Sequence, residues 1–344
     1  AERAMSPARG FVARPARAKE AEFCGRCHAD AAFMKKYNPA ARVDQVAEYR
    51  TSVHGQRNAK GDVHVATCTD CHGVHGIRQS SSPKARTYPT NVPDTCGACH
   101  SDAARMSPYG RKGDPVADWR TSVHAESLLK RGDLSAPACN DCHGNHGAVP
   151  PGVTSVAFVC GQCHGREAGL FRESFKKALF DATGASECVT CHGNHAIPRP
   201  GDHLIGTGEG TTCAQCHQPG DACDQQSVQI RAAIDRYAKE LEDARALLER
   251  AEHAGMEVSE AVFNLKNDGV SGLVETRALV HSFATDRLVK RAEEGIEAAA
   301  RGRAAGEAAL AELQFRRKGL AVSVAFIGVL LVGLYLKIRE VDRP

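Results

Sequence analysis

One five-residue motif, Cys-x-x-Cys-His, occurs seven times in this chain and takes fourteen of its fifteen cysteines. A random chain of the same composition would contain about 0.03 copies. Two thiols one helical turn apart can bond to the two vinyl groups of a haem, and the adjacent histidine can then bind the iron. Structural zinc sites also use paired cysteines, but they need no histidine after every second cysteine. The motif therefore predicts seven covalently bound haem c groups.

The predicted ligands fall into two sets. The thioether cysteines are Cys24, Cys27, Cys68, Cys71, Cys96, Cys99, Cys139, Cys142, Cys160, Cys163, Cys188, Cys191, Cys213 and Cys216. The proximal iron ligands are His28, His72, His100, His143, His164, His192 and His217.

An internal repeat organises the motifs. The segment 49–54 resembles 119–124, and each precedes a Cys-x-Asp-Cys-His-Gly-x-His stretch and then a plainer motif. A third copy begins at 171–176, where Lys176 replaces the histidine of the other two copies. The repeat predicts one lone haem followed by three haem pairs, arranged as a linear chain.

Repetition also selects candidates for the distal iron ligands. His75, His146 and His195 follow a proximal histidine by three residues, too close to reach the other face of the same iron, so we expect each to bind a neighbouring haem or a propionate. His54 and His124 hold equivalent repeat positions, and two further ligands are needed. The predicted distal set is His54, His75, His124, His146, His195, His203 and His281.

Other donors remain open at this point. His64 and His253 are weaker candidates, since His253 lies among charged residues near a predicted helix end. Met34 and Met106 share a repeat position and are expected to pack against a haem edge, because methionine commonly fills gaps beside flat groups. Cys223 is a structural thiol, an intermolecular disulfide partner or an unusual iron ligand.

Composition favours a haem-filled core. Aromatic residues make up 5% of the chain, with a single tryptophan, so the porphyrins would supply much of the apolar surface. The formal charge of +3 becomes negative once each haem adds two propionates, which argues against a nucleic-acid partner. The first 22 residues lack apolar periodicity and are predicted to form an exposed arm before the heptahaem domain at 23–223.

Residues 224–318 have the pattern of a helical hairpin or bundle. Apolar side chains recur every three or four residues along one predicted helix face, a spacing typical of helices that pack together. The members of this seam are Ile230, Ile234, Tyr237, Leu241, Ala244, Leu248 and Ala251. Gly255 is expected to end this helix. A second helix is expected over 259–283, weakened by Gly269 and Gly272, and a third from Thr285.

An uninterrupted apolar run at 319–336 has the length of a membrane span. Eighteen residues at 1.5 Å each cover about 27 Å, enough for the hydrocarbon core of a bilayer. Cationic residues border both ends. We therefore predict a transmembrane helix at 319–338 and a cytoplasmic tail at 339–344. The third helix of the bundle is expected to continue into it. The expected fold class is mainly α: a haem-packed domain with little regular structure, a helical bundle and one C-terminal span.

These motifs resemble the exported multihaem c cytochromes, including the doubled Cys-x-x-Cys-His cytochromes, cytochrome c554 and the tetrahaem quinol dehydrogenases. A haem domain followed by helices and an anchor is similar to membrane-bound cytochrome subunits of quinol-linked or bc-type respiratory complexes. The resemblance implies electron transport rather than substrate chemistry. It also implies a cytoplasmic-membrane location, with the haems on the periplasmic side. The implied partners are a cytochrome b or iron–sulfur protein and a soluble cytochrome acceptor.

The alternative function is that of a reductase or oxidase of a small nitrogen or sulfur compound. Such an enzyme needs one iron with an open position, and the replacement at Lys176 leaves the third repeat short of an expected histidine. Whether the chain is an enzyme is therefore undecided by sequence, although an electron-transfer subunit is favoured.

Overall fold

The computed structural model describes Ala8, Ala13, residues 15–149 and residues 157–342. No strand occurs among these residues, and the mainly α fold is confirmed. Most of the predicted exposed arm lies outside the described residues. Its described end packs instead of extending into solvent, since Glu20 and Ala21 are buried and the Arg17 guanidinium lies 2.6 Å from the Asp70 carboxylate. The predicted exposed arm therefore does not include these three residues.

The α-helices of the described residues are numbered in chain order. The first eleven are α1 (Glu20–His28), α2 (Ala31–Met34), α3 (Gln45–Thr51), α4 (Val53–Ala59), α5 (Cys68–His72), α6 (Val92–His100), α7 (Ala103–Met106), α8 (Pro115–Arg120), α9 (Val123–Ala125), α10 (Cys139–His143) and α11 (Ala157–Cys160). The others are α12 (Gly165–Glu173), α13 (Phe175–Thr183), α14 (Glu187–His192), α15 (Ala222–His253), α16 (Ser259–Asn264), α17 (Ser271–Ala278) and α18 (Thr285–Val341).

Single turns of other helix types join these elements. The 3-10 turns are Arg17–Lys19, Pro89–Asn91, Ser107–Tyr109, Asp202–Leu204, Cys213–Gln215 and Leu279–Ser282, and the π-helical turns are Glu126–Lys130 and Leu265–Val270.

The chain divides into two compact units. The haem-motif unit comprises 1–164 and 184–199, and the bundle unit comprises 165–183 and 200–344. This division differs from the predicted boundary at 223, because Leu170 is buried in the core of the bundle and Phe171 contacts the Phe283 ring. The sequence-based boundaries describe where haem motifs occur along the chain rather than how its segments pack.

The haem-motif unit has small separate cores. Trp119, Leu128, Val92 and Ala138 form one of them, with Cys96 and Cys139 of two motifs packed against it. Its helices have at most nine residues, as expected for a domain with little regular structure.

The bundle unit is built on the predicted helical seam. All seven seam residues of α15 are buried, and α15 ends before Gly255, which has a φ of 77°. The return segment of α16 and α17 is interrupted by a π-helical turn that includes Gly269, one of the two glycines expected to weaken it. α18 then runs parallel to α15, with Gly295 beside Tyr237 and Gly306 beside Leu247. The three segments form an up-down-up bundle.

Glycines on α18 allow this close approach. The Tyr237 ring is fully buried, and its hydroxyl donates a hydrogen bond of 2.6 Å to the carbonyl of Gly269. A Cβ added at Gly295 would overlap the Tyr237 ring.

Replacing Gly295 with alanine is therefore expected to destabilise the bundle. Alanine normally favours an interior helix position over glycine by about 1 kcal/mol, but overpacking against a buried ring costs about 1–3 kcal/mol. Thermal unfolding in detergent, followed by circular dichroism, measures the difference. Gly319→Ala is the matched control, because a Cβ at Gly319 meets nothing within 4 Å. Equal melting temperatures for the two variants would contradict this packing.

The last helix extends well beyond the bundle. α18 has 57 residues, which corresponds to about 86 Å, and its buried residues all precede Ala309. Its most apolar 18-residue window has a mean hydropathy of 2.4 with no residue buried. Within the described part of the chain, one helix is thus long and apolar enough to cross a membrane. The apolar segment and the third helix of the bundle are parts of the same continuous helix, α18, as expected.

Candidate haem-binding site

Most Cys-x-x-Cys-His motifs lie at the end of a helix. The proximal histidine is the last residue of α1, α5, α6, α10 and α14, while Cys160 ends α11 and Cys213 begins a 3-10 turn. One helical turn places the two thiols of a motif on the same side, as thioether attachment to one porphyrin requires. The fifteen cysteines all lie in the described part of the chain, and none of them forms a disulfide bond.

Successive motifs of the haem-motif unit lie beside one another. The side chains of Cys24 and Cys68 lie close enough to interact, and so do those of Cys96 and Cys139, and of Cys160 and Cys188. These contacts join motifs one and two, three and four, and five and six. They cross the boundaries of the sequence repeat, but α5 and α6 of the first repeat are also in contact, so successive motifs are neighbours both within and between repeats.

Four predicted distal histidines each face one predicted proximal histidine. The ring centres of His54 and His100 are 6.2 Å apart, and those of His124 and His164 are 6.3 Å apart. The pairs His72 and His146, and His143 and His195, are both separated by 6.0 Å with nearly parallel rings.

These separations fit an iron between the two rings. Imidazole nitrogens bind transition metals at about 2 Å and the ring centre lies about 1 Å further out, so two axial histidines have ring centres about 6 Å apart. Direct ring stacking would bring the centres closer. The four pairs can therefore hold haem iron from both sides without rearrangement of the chain.

The repeat explains why the pairs come in two kinds. His54 and His124, each at the start of a short helix, face the plainer motif that follows in the chain. His146 and His195, each in a Cys-His-Gly-x-His stretch, face the corresponding motif of the preceding repeat. The tilt between the rings is 57° and 37° in the first kind, but only 12° and 14° in the second. Equivalent sequence positions therefore give equivalent geometry.

Buried serines orient the first kind of distal histidine. The Ser52 hydroxyl accepts a hydrogen bond from the Gly55 amide and caps α4, and Ser122 caps α9 through the Ala125 amide. The histidine two residues later is thus held in the first helical turn. Both repeat segments contain this serine, but its capping role requires the backbone geometry.

A glycine orients the second kind. Gly73, Gly144 and Gly193 follow the proximal histidines and have φ values of 79°, 83° and 74°. This left-handed conformation ends the helix and is strained for residues with a side chain. The chain therefore turns sharply after the proximal histidine, which takes the next histidine away from its own motif and toward another.

The local environment favours neutral imidazoles, the form that binds iron. Burial lowers the pKa of six histidines of the four pairs, namely His54, His72, His100, His124, His146 and His195. The Nδ1 atom of His143 lies 3.1 Å from the carbonyl oxygen of Val149. A hydrogen bond donated there leaves Nε2 as the metal-binding nitrogen.

The remaining predicted distal ligands are not brought to a proximal histidine in the described contacts. His75 and His203 are exposed. His281 is half-buried in the Leu279–Ser282 turn, with Nδ1 3.0 Å from the carbonyl oxygen of Ala278. His28 is an exposed proximal histidine. The distal assignments of His75, His203 and His281 therefore stay predictions.

The other candidate donors also have defined positions. Met34 and Met106 end α2 and α7, two equivalent four-residue helices, and both are half-buried. His64 and His253 are exposed. The Cys223 thiol contacts Cys213 and, with His217 and Asp221, forms a small cluster of potential donors.

The seventh motif has a nitrogen partner that the sequence did not reveal. The Lys176 Nζ atom lies 3.2 Å from Nε2 of His217, and both residues belong to the bundle unit. The Asp221 carboxylate lies 3.0 Å from Nδ1 of His217. Hydrogen bonds from the Asp224 amide and from His217 lower the pKa of Asp221, so it remains an anion that orients the imidazole. The signal in the sequence was the repeat position of Lys176.

Comparison with known proteins agrees with the central motifs. Residues 62–165 match the family model of cytochrome c3. They form a cytochrome c3-like domain. The match spans less than a third of the chain and includes four motifs, from Cys68 to His164. No curated protein and no solved structure gives a significant match.

The cytochrome c3-like domain indicates that this is a multihaem cytochrome of the electron-transfer type with covalently bound haem c. Two of the four imidazole pairs lie entirely within the matched region. Each of the other two joins a histidine of this region to one outside it, His54 before it and His195 after it. The geometry of the c3-like domain therefore continues on both sides of the matched region.

Proposed function

We propose that this chain is a membrane-anchored heptahaem cytochrome that relays electrons between a quinol-linked membrane partner and an exported acceptor. The observation that carries the proposal is the set of four imidazole pairs separated by 6.0–6.3 Å. Histidine pairs of this kind would hold a haem iron from both faces and leave no position for a substrate, which suits electron transfer. When bound, haem c supplies an iron that accepts and releases single electrons, and bis-histidine ligation lacks the potential-raising effect of methionine.

The protein's own residues do the positioning. The four histidine pairs would hold four irons from both sides, and burial lowers the pKa of six of these eight imidazoles, which favours their neutral form. The contacts between cysteines of successive motifs bring the attachment points close together along the haem-motif unit. Electron transfer through several haems needs short distances between neighbouring haem sites. This arrangement therefore supports an electron-transfer chain more directly than it supports a single catalytic centre.

Membrane anchoring is the second part of the proposal. The apolar part of α18 is exposed throughout, and eighteen residues match the thickness of a bilayer. Covalent haem attachment takes place outside the cytoplasmic membrane, so we place the haem motifs on the periplasmic side and residues 339–344 in the cytoplasm. The proposed partners are a cytochrome b or iron–sulfur subunit and a soluble cytochrome.

The reductase alternative is not favoured by the geometry. It depended on an open iron in the third repeat, and Lys176 lies at the position where the open face was expected. We therefore infer that electron transfer, rather than chemistry on a nitrogen or sulfur compound, is the function of the whole chain.

Affinity purification from solubilised membranes tests the proposed partners. We expect a cytochrome b or an iron–sulfur protein to co-purify with the full-length chain, and a quinol analogue to reduce the haems in that complex. The isolated chain, lacking a quinol-oxidising subunit, is expected to be reduced far more slowly. The proposal is wrong if the chain purifies without other subunits under conditions that keep membrane complexes intact, and if it reduces nitrite or hydroxylamine.

A further inference from the structure

We propose that Lys176 is an axial ligand of the seventh haem and binds its iron through the side-chain amine, opposite His217. The inference rests on the proposed function, since it requires a haem on Cys213 and Cys216. It assigns a ligand where the repeat lacks a histidine, and it makes the third repeat complete.

The repeat position is the first argument. Lys176 follows Ser174 by two residues, as His54 follows Ser52 and His124 follows Ser122. His54 and His124 each face the proximal histidine of the next plain motif. Lys176 faces His217, the proximal histidine of the corresponding motif in its own repeat. The lysine therefore keeps both the position and the target of the histidine that it replaces.

Local backbone structure is preserved with the position. The Ser174 hydroxyl donates a hydrogen bond of 2.7 Å to the Phe171 carbonyl, and the Ser52 hydroxyl makes the same three-residue contact with Tyr49. In each case the helix that carries the donor begins at the residue after the serine. The amine of Lys176 is thus presented from the first turn of α13, just as the imidazole of His54 is presented from the first turn of α4.

The distance to His217 fits ligation after a small adjustment. Two nitrogens on opposite sides of one iron lie about 4 Å apart, since each metal–nitrogen bond is about 2 Å. The Lys176 Nζ and His217 Nε2 atoms are 3.2 Å apart. The lysine side chain has four rotatable carbon links, so it can lengthen this separation without movement of α13. The two nitrogens are in hydrogen-bond contact, and a retraction of the lysine side chain by about 0.8 Å would separate them by the distance that ligation of one iron requires.

The surroundings of the amine are aromatic rather than acidic. Its nitrogen lies 5.4 Å from the ring centre of Phe175 and 5.6 Å from that of Phe283. Phe283 is the non-glycine residue with a positive φ, 53°, in the described part of the chain. Lys176 makes no salt bridge with a described carboxylate, whereas the next residue, Lys177, lies 2.6 Å from Asp181. A lysine that served only as a surface charge would be expected to lie in solvent or near a carboxylate. The Lys176 amine instead lies near two aromatic rings and faces an imidazole.

Ligation balances without any redox change. The ammonium form has no lone pair, so one N–H bond of Lys176 breaks, the proton goes to solvent, and the freed pair forms the bond to ferric iron. The iron then has nitrogen ligands on both faces and is expected to be low-spin. The Asp221 carboxylate, beside Nδ1 of His217, orients the opposite ligand.

Low-temperature electron paramagnetic resonance of the full-length oxidised cytochrome tests the assignment. Wild type is expected to show no stoichiometric high-spin haem at the seventh motif. Lys176→Ala is expected to convert one ferric haem per chain from low-spin to high-spin. Lys176→His should keep that haem low-spin and give it the near-infrared magnetic circular dichroism of a bis-histidine site, which also shows that the variant folds. Lys177→Ala is the matched control and should change neither spectrum.

Three results would overturn the inference. They are a high-spin seventh haem in the wild type, an unchanged spectrum in Lys176→Ala, and loss of the low-spin signal in Cys223→Ser instead, which would make the thiolate the ligand. Measurement of the intact mass separates failure of the Lys176 assignment from failure of the proposed function. If Cys213→Ser with Cys216→Ser leaves the haem number unchanged, the seventh motif carries no haem and the heptahaem proposal itself is wrong.

Discussion

Ending the chain after Arg316 is expected to move the protein completely from the membrane fraction to the soluble fraction. The residues removed include the exposed apolar run of α18, in which eleven side chains are leucine, valine, isoleucine or phenylalanine. At about 0.3–0.6 kcal/mol each, these side chains favour insertion by roughly 3–7 kcal/mol. The haem motifs precede residue 218, so the soluble product is expected to keep its full haem content and to lose quinol-linked reduction.

Fractionation followed by haem staining measures this effect. A full-length variant with Leu330→Arg and Leu331→Arg provides a second route to the same state, because each arginine at the centre of a span costs about 2.5–3.5 kcal/mol. Lys337→Gln is the matched control, since it lies at the end of the run and should stay in the membrane. The anchor hypothesis fails if the truncated protein remains membrane-bound or still accepts electrons from quinol at the normal rate.

Replacing Cys139 and Cys142 together with serine is expected to remove one haem from the middle of the relay. These thiols belong to the fourth motif, and without thioether bonds the haem has no covalent attachment. The imidazoles of His143 and His195, whose ring centres are 6.0 Å apart, would then have no iron to share. We expect the ratio of haem absorbance to protein to fall by about one-seventh, and the number of low-spin signals to fall by one.

The fifteenth cysteine supplies the matched control for that experiment. Cys223 lies outside every motif, so Cys223→Ser is expected to keep the wild-type haem content. The Cys223 thiol contacts Cys213. Burial is the main reason why the pKa of the Cys223 thiol is raised to about 11, and the thiol is therefore protonated at neutral pH. Loss of a haem in Cys223→Ser, or none lost in the double variant, would contradict the assignment of cysteines.

Much of the fold could be predicted because its determinants are local. The seam of α15 follows from the spacing of seven apolar residues, the end of that helix from Gly255, and the exposed part of α18 from an uninterrupted apolar run. A helical period needs only neighbouring residues to be recognised. The packing of α12 on the bundle could not be predicted in the same way, because nine residues with an apolar face do not specify which core they join.

The site shows the same division. Attachment residues are defined within five positions, whereas distal ligands depend on contacts between residues far apart in the chain. The repeat identified His54, His124, His146 and His195 as candidates, but which proximal histidine each one faces required the structure. The repeat also marked Lys176 as a departure from the pattern, but only the structure shows that its amine lies beside His217.

Intact mass spectrometry of the purified full-length protein under denaturing conditions tests the central claim most directly. Only covalently attached groups survive denaturation, so the mass counts haems without assumptions about ligation. The account predicts the mass of the polypeptide plus seven haems. A polypeptide that carries fewer than seven haems would contradict it.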